Sequence, residues 1–157
     1  MTDPAAPPQD HAETVSALPD GWVRAMGVRF VRATRDEVVA ELTVGGAHRQ
    51  PLGIVHGGVY AGLVETAASI GAGIDAMSRG LFSVGLENHT SFLHAVREGE
   101  LRAVARPQMR GRRTQVWEVA ITDDTERTVA TGKVRFLVIE PNTSLAGEGV
   151  DLKTAED

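Results

Sequence analysis

The chain contains no cysteine. That removes disulfide bridges, thiolate nucleophiles and cysteine metal ligands in one step. It suits a reducing compartment, so the expected location is the cytoplasm. No apolar run approaches the ~18 residues that a membrane-spanning helix needs. The opening MTDPAAPPQDHAETVSA has neither a basic nor an apolar region and does not read as a secretory signal. Basic residues are not in excess: 16 Lys and Arg stand against 21 Asp and Glu, a formal net charge of -5. This argues against a general nucleic-acid binder and leaves room for a local basic site. A G-x-S-x-G elbow, a Walker loop, a G-x-G-x-x-G fingerprint and an HExxH helix are all missing, and His56, His89 and His94 do not have zinc spacing. The expectation is a protein with no metal site, no required cofactor, and no nucleic-acid or membrane partner.

What is present fits one domain. The 157 residues can bury a real core, and 42% hydrophobic with 24% charged residues is ordinary for a globular chain. Residues 1–17 and 141–157 are rich in polar residues, Pro or Gly and lack an apolar period, so both read as disordered tails around a domain at 18–140. Within the domain, Leu18 to Met26 reads as a short helix or turn. Val28 to Ala33 and Val38 to Val44 read as a hairpin, and Gly45 to Gly53 as a loop. A helix is predicted from His56 to Met77, followed by strands over Leu81–Phe92, Leu101–Gln108, Thr114–Thr122 and Thr128–Ile139. Short connections predict that these four are mostly antiparallel neighbours. The fold class is α+β, one long helix covering a sheet of five or six strands. An uncovered sheet face and edge then call for a homo-oligomer. Trp22 and Trp117 read as packing residues.

The segment QPLGIVHGGVYAGLVETAASIGAG, residues 50–73, carries the chemistry. Val59, Leu63, Thr66, Ile70 and Ile74 form one helical stripe, expected to face the sheet. Glu65 lies off that stripe, among Ala61, Gly62, Ala68 and Ser69. An isolated Glu on a helix is usually a solvated residue. Here the absence of other charges makes it a candidate for work, because an ionised carboxylate costs several kcal/mol to desolvate. Gly57-Gly58 stands at the helix start, where free N–H groups and the helix dipole favour negative charge. Such a start can stabilise an oxyanion, and a carboxylate two turns on can act as base or nucleophile. Together they outline an acyl-transfer site.

The segments GIVHGGVYAGLVETAAS, SVGLENHTSFLHAVREGELRA and GRRTQVWEVAITDD resemble the hotdog-fold acyl-CoA thioesterases. Within that family they are similar to the branch of the phenylacetate-pathway thioesterases and the Arthrobacter-type 4-hydroxybenzoyl-CoA thioesterase, and the likeness runs over most of 20–139. The resemblance implies a long helix wrapped by an antiparallel sheet, with dimers that often pair into homotetramers. It implies that Glu65 is nucleophile or general base on the thioester, and that the Gly57 N–H polarises the carbonyl. It further implies that Gln50 lies near the thioester, that Ser69 orients water or the carboxylate, and that His56 orders the helix start. Arg112, Arg113 and Thr114 match a contact to the CoA nucleotide and pantetheine, and Asn88, His89 and Thr90 match positions that line the acyl pocket. The implied reaction is hydrolysis of an aryl or medium-chain acyl-CoA. A non-catalytic acyl-CoA-sensing module on the same fold is the alternative. A hydratase would use an Asp/His pair in a motif this sequence lacks.

Overall fold

The computed structural model describes residues 7–18 and 21–150. Two short helices, α1 (Ala12–Ser16) and α2 (Gly21–Met26), precede a hairpin of β1 (Arg29–Ala33) and β2 (Val38–Thr43). The long helix α3 (Gly57–Met77) follows, then β3 (Phe82–Phe92), β4 (Glu100–Arg110), β5 (Thr114–Thr122) and β6 (Thr128–Ile139). The six strands form one antiparallel sheet in the order β1-β2-β4-β5-β6-β3. It packs on α3 along β2 to β6. The expected α+β architecture, a long helix wrapped by a six-stranded antiparallel sheet, is therefore present.

The strand order differs from the expected run of neighbours in one respect. β3 does not pair with β4; it crosses to the far edge and pairs with β6 from Phe82↔Ile139 to Phe92↔Ala130. The 93–99 connection is short, but it spans the end of the sheet because Leu93 and His94 both donate to Val129 O. Connection length therefore does not decide which strands are neighbours.

The helix is also turned relative to the expected stripe. Leu63, Val64, Ala67, Ala68, Gly71 and Ala72 are buried, whereas Thr66, Ile70 and Ile74 are only half-buried. The small residues face the sheet because the sheet supplies the bulk. Trp117, Phe136 and Ile121 are fully enclosed. The Trp117 ring lies so close to Gly71 that a Cβ there would sit 2.3 Å from it. Val64 packs in the same way over Gly132.

At its C-terminal end α3 carries a second carboxylate, Asp75, which is 2% exposed and far more buried than Glu65. Arg35, Arg79 and Arg110 surround it at 3.1, 3.0 and 3.6 Å. Gln115 Nε2 donates to it at 3.1 Å, while Gln115 Oε1 accepts from Trp117 Nε1. A buried carboxylate with this many donors ties the β1–β2 turn, α3 and β5 together.

The tail expected over 1–17 is ordered where the structure describes it beyond Asp10. Val15 of α1 joins the core, and Ala33 N donates to Asp10 Oδ1 while His11 N donates to Ala33 O. One buried valine and two bonds to the end of β1 hold a segment whose composition shows no apolar period. At the other end, Ser144–Leu145 and Glu148–Gly149 form an exposed two-residue hairpin. Residues 1–6 and 151–157 lie outside the described residues. No described helix is long and apolar enough to cross a membrane.

The contact between α3 and the sheet predicts opposite outcomes for two helix glycines. Gly71→Ala should cost about 1–3 kcal/mol by forcing Trp117 aside. Gly73→Ala, with nothing within 4 Å of its Cβ position, should stabilise by up to ~1 kcal/mol. Urea unfolding of the two variants checks this, and a Gly71→Ala midpoint equal to wild type would refute the tight contact.

Candidate functional site

The loop before α3 is held by a buried histidine that sequence reasoning passed over. His48 Nδ1 accepts from Gly45 N at 2.8 Å, so Nε2 carries the proton and donates to Met26 O at 3.0 Å. His56 N donates to His48 O, and Val55 N to Val96 O. Gln50 is fixed between these anchors by backbone bonds to Ile54 and Gly53.

His56 then starts the helix. Its extended backbone (φ -68°, ψ 136°) and its Nδ1, which accepts from Gly58 N at 2.9 Å, make it the N-cap. Val59 N bonds to His56 O. The Gly57 amide has no hydrogen-bond partner among the described residues, and a free donor at a helix start is where negative charge is favoured. Gly57 also accepts a close neighbour: a Cβ there would lie 2.8 Å from the Phe92 ring. Gln50, Gly57, Tyr60, Phe92 and His94 line one cleft of about 190 Å³. The Tyr60 hydroxyl is buried without a partner, and burial pushes its pKa above the ordinary phenol value.

Glu65 lies further along the helix, half-buried at the rim of the sheet beside β3. Asn88 Nδ2 donates to its Oε2 at 2.9 Å, and Ser69 Oγ donates to its Oε1 at 3.3 Å. Among the described residues it makes no ion pair. The strand comes this close because residue 85 is glycine: a Cβ would stand 2.8 Å from Oε1. A β-bulge follows at once, between Gly85 and Glu87. Gly85 was missed from the sequence, although a glycine inside a strand is a signal of close approach or a bulge.

The expected site residues are thus partly gathered. Gln50, His56 and Gly57 cluster at the helix start. Glu65, Ser69, Asn88 and Thr90 form a second cluster, in which Thr90 Oγ1 donates to Asn88 Oδ1 at 2.6 Å. Gly57 and Glu65 are eight residues apart, which is about 12 Å along a helix. His89 is separated from both. It pairs with Lys133 and lines a groove with Arg106 and Glu118 on the outer face of the sheet, because strand neighbours point to opposite sides. Arg112, Arg113 and Thr114 form the β4–β5 turn, whose Gly111 O accepts from Arg79 near the C-terminal end of α3. That end lies about 18 Å along the helix from Glu65. No described group of three His, Asp or Glu side chains is placed to hold a metal ion.

Comparisons with known proteins agree on the family. The profile of the thioesterase superfamily matches residues 52–130. A candidate esterase of Mycobacterium tuberculosis is 39% identical over 117 residues, spanning 73% of this chain and 84% of that protein. Its solved structure covers 77% of this chain and 98% of that chain with a TM-score of 0.76. The proofreading thioesterase EntH of Cronobacter turicensis is 34% identical over 74% of this chain and 85% of that protein. A solved thioesterase from Haemophilus influenzae is 29% identical, with a TM-score of 0.73 over 78% of this chain and 85% of that one.

The N-cap geometry predicts that His56→Ala lowers stability by about 0.5–2 kcal/mol in a urea titration, and that His56→Asn retains most of it. An unchanged midpoint in the alanine variant would show that the cap contributes nothing.

Proposed function

This chain belongs to the thioesterase superfamily, and from that premise we propose that it hydrolyses acyl-CoA thioesters, aryl or medium-chain, to the free acid and CoA. It is a thioester hydrolase with the hotdog arrangement of helix and sheet. The observation that carries the finer reading is the setting of Glu65: a carboxylate held by two neutral donors, unpaired by any described cation, at the rim of the sheet.

Glu65 acts on the thioester carbon in one of two ways. Its oxygen adds to the carbon, the C–S bond breaks, and water then cleaves the resulting anhydride. Alternatively it takes a proton from water as the water adds. In both routes the sulfur leaves as CoA thiolate, protonated by solvent, and the Gly57 N–H receives the developing oxyanion. Gln50 flanks the carbonyl, Ser69 and Asn88 hold the carboxylate, and His56 keeps the helix start in place. Arg112 and Arg113 offer guanidiniums for the CoA phosphates, with Thr114 beside them. Such a substrate suits a cytoplasmic enzyme.

One thioester cannot bridge 12 Å between an amide and a carboxylate on the same helix. A second copy closes the gap. β3 is an edge strand of 11 residues whose middle is exposed; its Leu86 and Phe92, and Leu93 just beyond it, stand in solvent. Antiparallel pairing of two β3 edges about a two-fold near Asn88 continues the sheet. Asn88 Nδ2 donates to Ala61 O at 3.1 Å, and Ala61 lies midway between Gly57 and Glu65. A two-fold there sets the partner subunit's Gly57 level with Glu65, so each site draws on both copies.

Glu65→Ala should lower kcat/KM by ~10² or more across an acyl-CoA panel, and Gly57→Pro by a comparable factor. Proline suits the first helical position and deletes the free N–H, and its ring also pushes the exposed Phe92 side chain aside. Full activity in Glu65→Ala would sink the assignment. Coexpression of the two inactive variants should restore about a quarter of wild-type activity, since half of randomly formed dimers hold one intact site. No recovery from mixed dimers, shown to form by tagged pull-down, would place the whole site in one chain.

A further inference from the structure

Asn88 and Thr90 stand on the inner face of β3, where the family resemblance expects an acyl-pocket wall. Their hydrogen bonds leave little for a substrate. Asn88 Nδ2 donates twice, to Glu65 Oε2 at 2.9 Å and to Ala61 O at 3.1 Å. Its Oδ1 accepts from Thr90 Oγ1 at 2.6 Å. Both neighbours of Nδ2 are pure acceptors, so the amide cannot be turned over without facing oxygen to oxygen. Thr90 holds that orientation with its only proton.

We propose that Thr90 and Asn88 form a relay of positioning residues that fixes the Glu65 carboxylate and selects which of its oxygens reacts. This rests on the thioesterase reading of Glu65. Oε2 is pinned by the short bond from Asn88. Oε1 has only a long contact to Ser69, 3.3 Å, and lies against Gly85, where a Cβ would stand 2.8 Å from it, so it is the less firmly held of the two oxygens. Oε1 is therefore the oxygen that adds to the carbonyl carbon or takes the proton from water. Oε2 carries the balancing charge under the Asn88 amide. Holding one oxygen also limits rotation of a flexible side chain, so the reactive lone pair is presented in one direction. The two residues act through Glu65 and do not touch the substrate.

The test is a kinetic cycle on the full-length protein with an acyl-CoA that wild type turns over. Asn88→Leu should lower kcat about 10–100-fold with KM little changed, the range for losing a hydrogen bond to a charged group. Thr90→Val should lower kcat a few-fold, and Thr90→Ser should recover most of that. The double variant should be no worse than Asn88→Leu alone, because Thr90 has nothing left to orient. Additive losses, or KM changes that depend on the acyl group while kcat holds, would restore the pocket-wall role and overturn the relay. A readout free of turnover separates this from the enzymatic assignment. In 15N-labelled protein the Asn88 side-chain amide signals should move in both Glu65→Ala and Thr90→Val. If they stay fixed, the relay fails even where Glu65→Ala is inactive. If they move while Glu65→Ala stays fully active, the relay stands and the thioesterase role of Glu65 fails.

Discussion

The structure depends on how closely α3 approaches the sheet. Beyond Val64 the helix presents alanine and glycine where a globular helix usually presents leucine, and the sheet answers with Trp117, Phe136 and Ile121. This reverses the usual division of bulk between the two layers. Its consequence is positional: with the helix seated on its small side, Glu65 comes to the rim over β3 instead of pointing away from the strands. The glycine at position 85 then admits the carboxylate to within hydrogen-bond reach of Asn88. Packing along the helix thus sets the position of the carboxylate near its middle.

Charge is arranged by the same two-sided logic. The outer face of the sheet carries alternating acids and bases: Arg29 and Arg102 both meet Glu41, Arg32 and Arg106 meet Glu37, Lys133 meets Glu118, and Arg135 meets Glu87. Most are solvent-exposed pairs worth little each. Together they cover much of that face with paired charge. The unsatisfied backbone edge of β3 is the stronger invitation to association. Asp75 and its arginines place the other concentration of charge at the far end of α3, where it holds the fold together.

The elements were legible in the sequence because their signals are local. A run of twenty-odd residues without proline reads as a helix, and alternation marks β4 and β6. The placement of His56 at the helix start and of Glu65 within the helix was legible as well. What was not legible depends on residues far apart in sequence. Hydrophobicity picks Ile70 and Ile74 as the buried face, and only the presence of Trp117 opposite explains why Gly71 and Ala72 are buried instead. The position of β3 at the sheet edge cannot be read from a short connection. The bonds of Asn88 to α3 and the outward direction of His89 follow from the register of β3 beside α3, which no single segment encodes. Asp75 carries no comparable local signal, since only the fold brings Arg35 and Arg110 to it.

The Gly71–Trp117 contact also bears on how such a sequence can drift. Neither residue has room to change alone: a side chain at 71 collides with the indole, and a smaller residue at 117 leaves a void and abandons the Gln115 amide. A chain that leaves this arrangement trades bulk from strand to helix, and a change at either position alone lowers stability until the other follows. Drift at these two positions is therefore coupled, and a first change persists only while the chain has stability to spare.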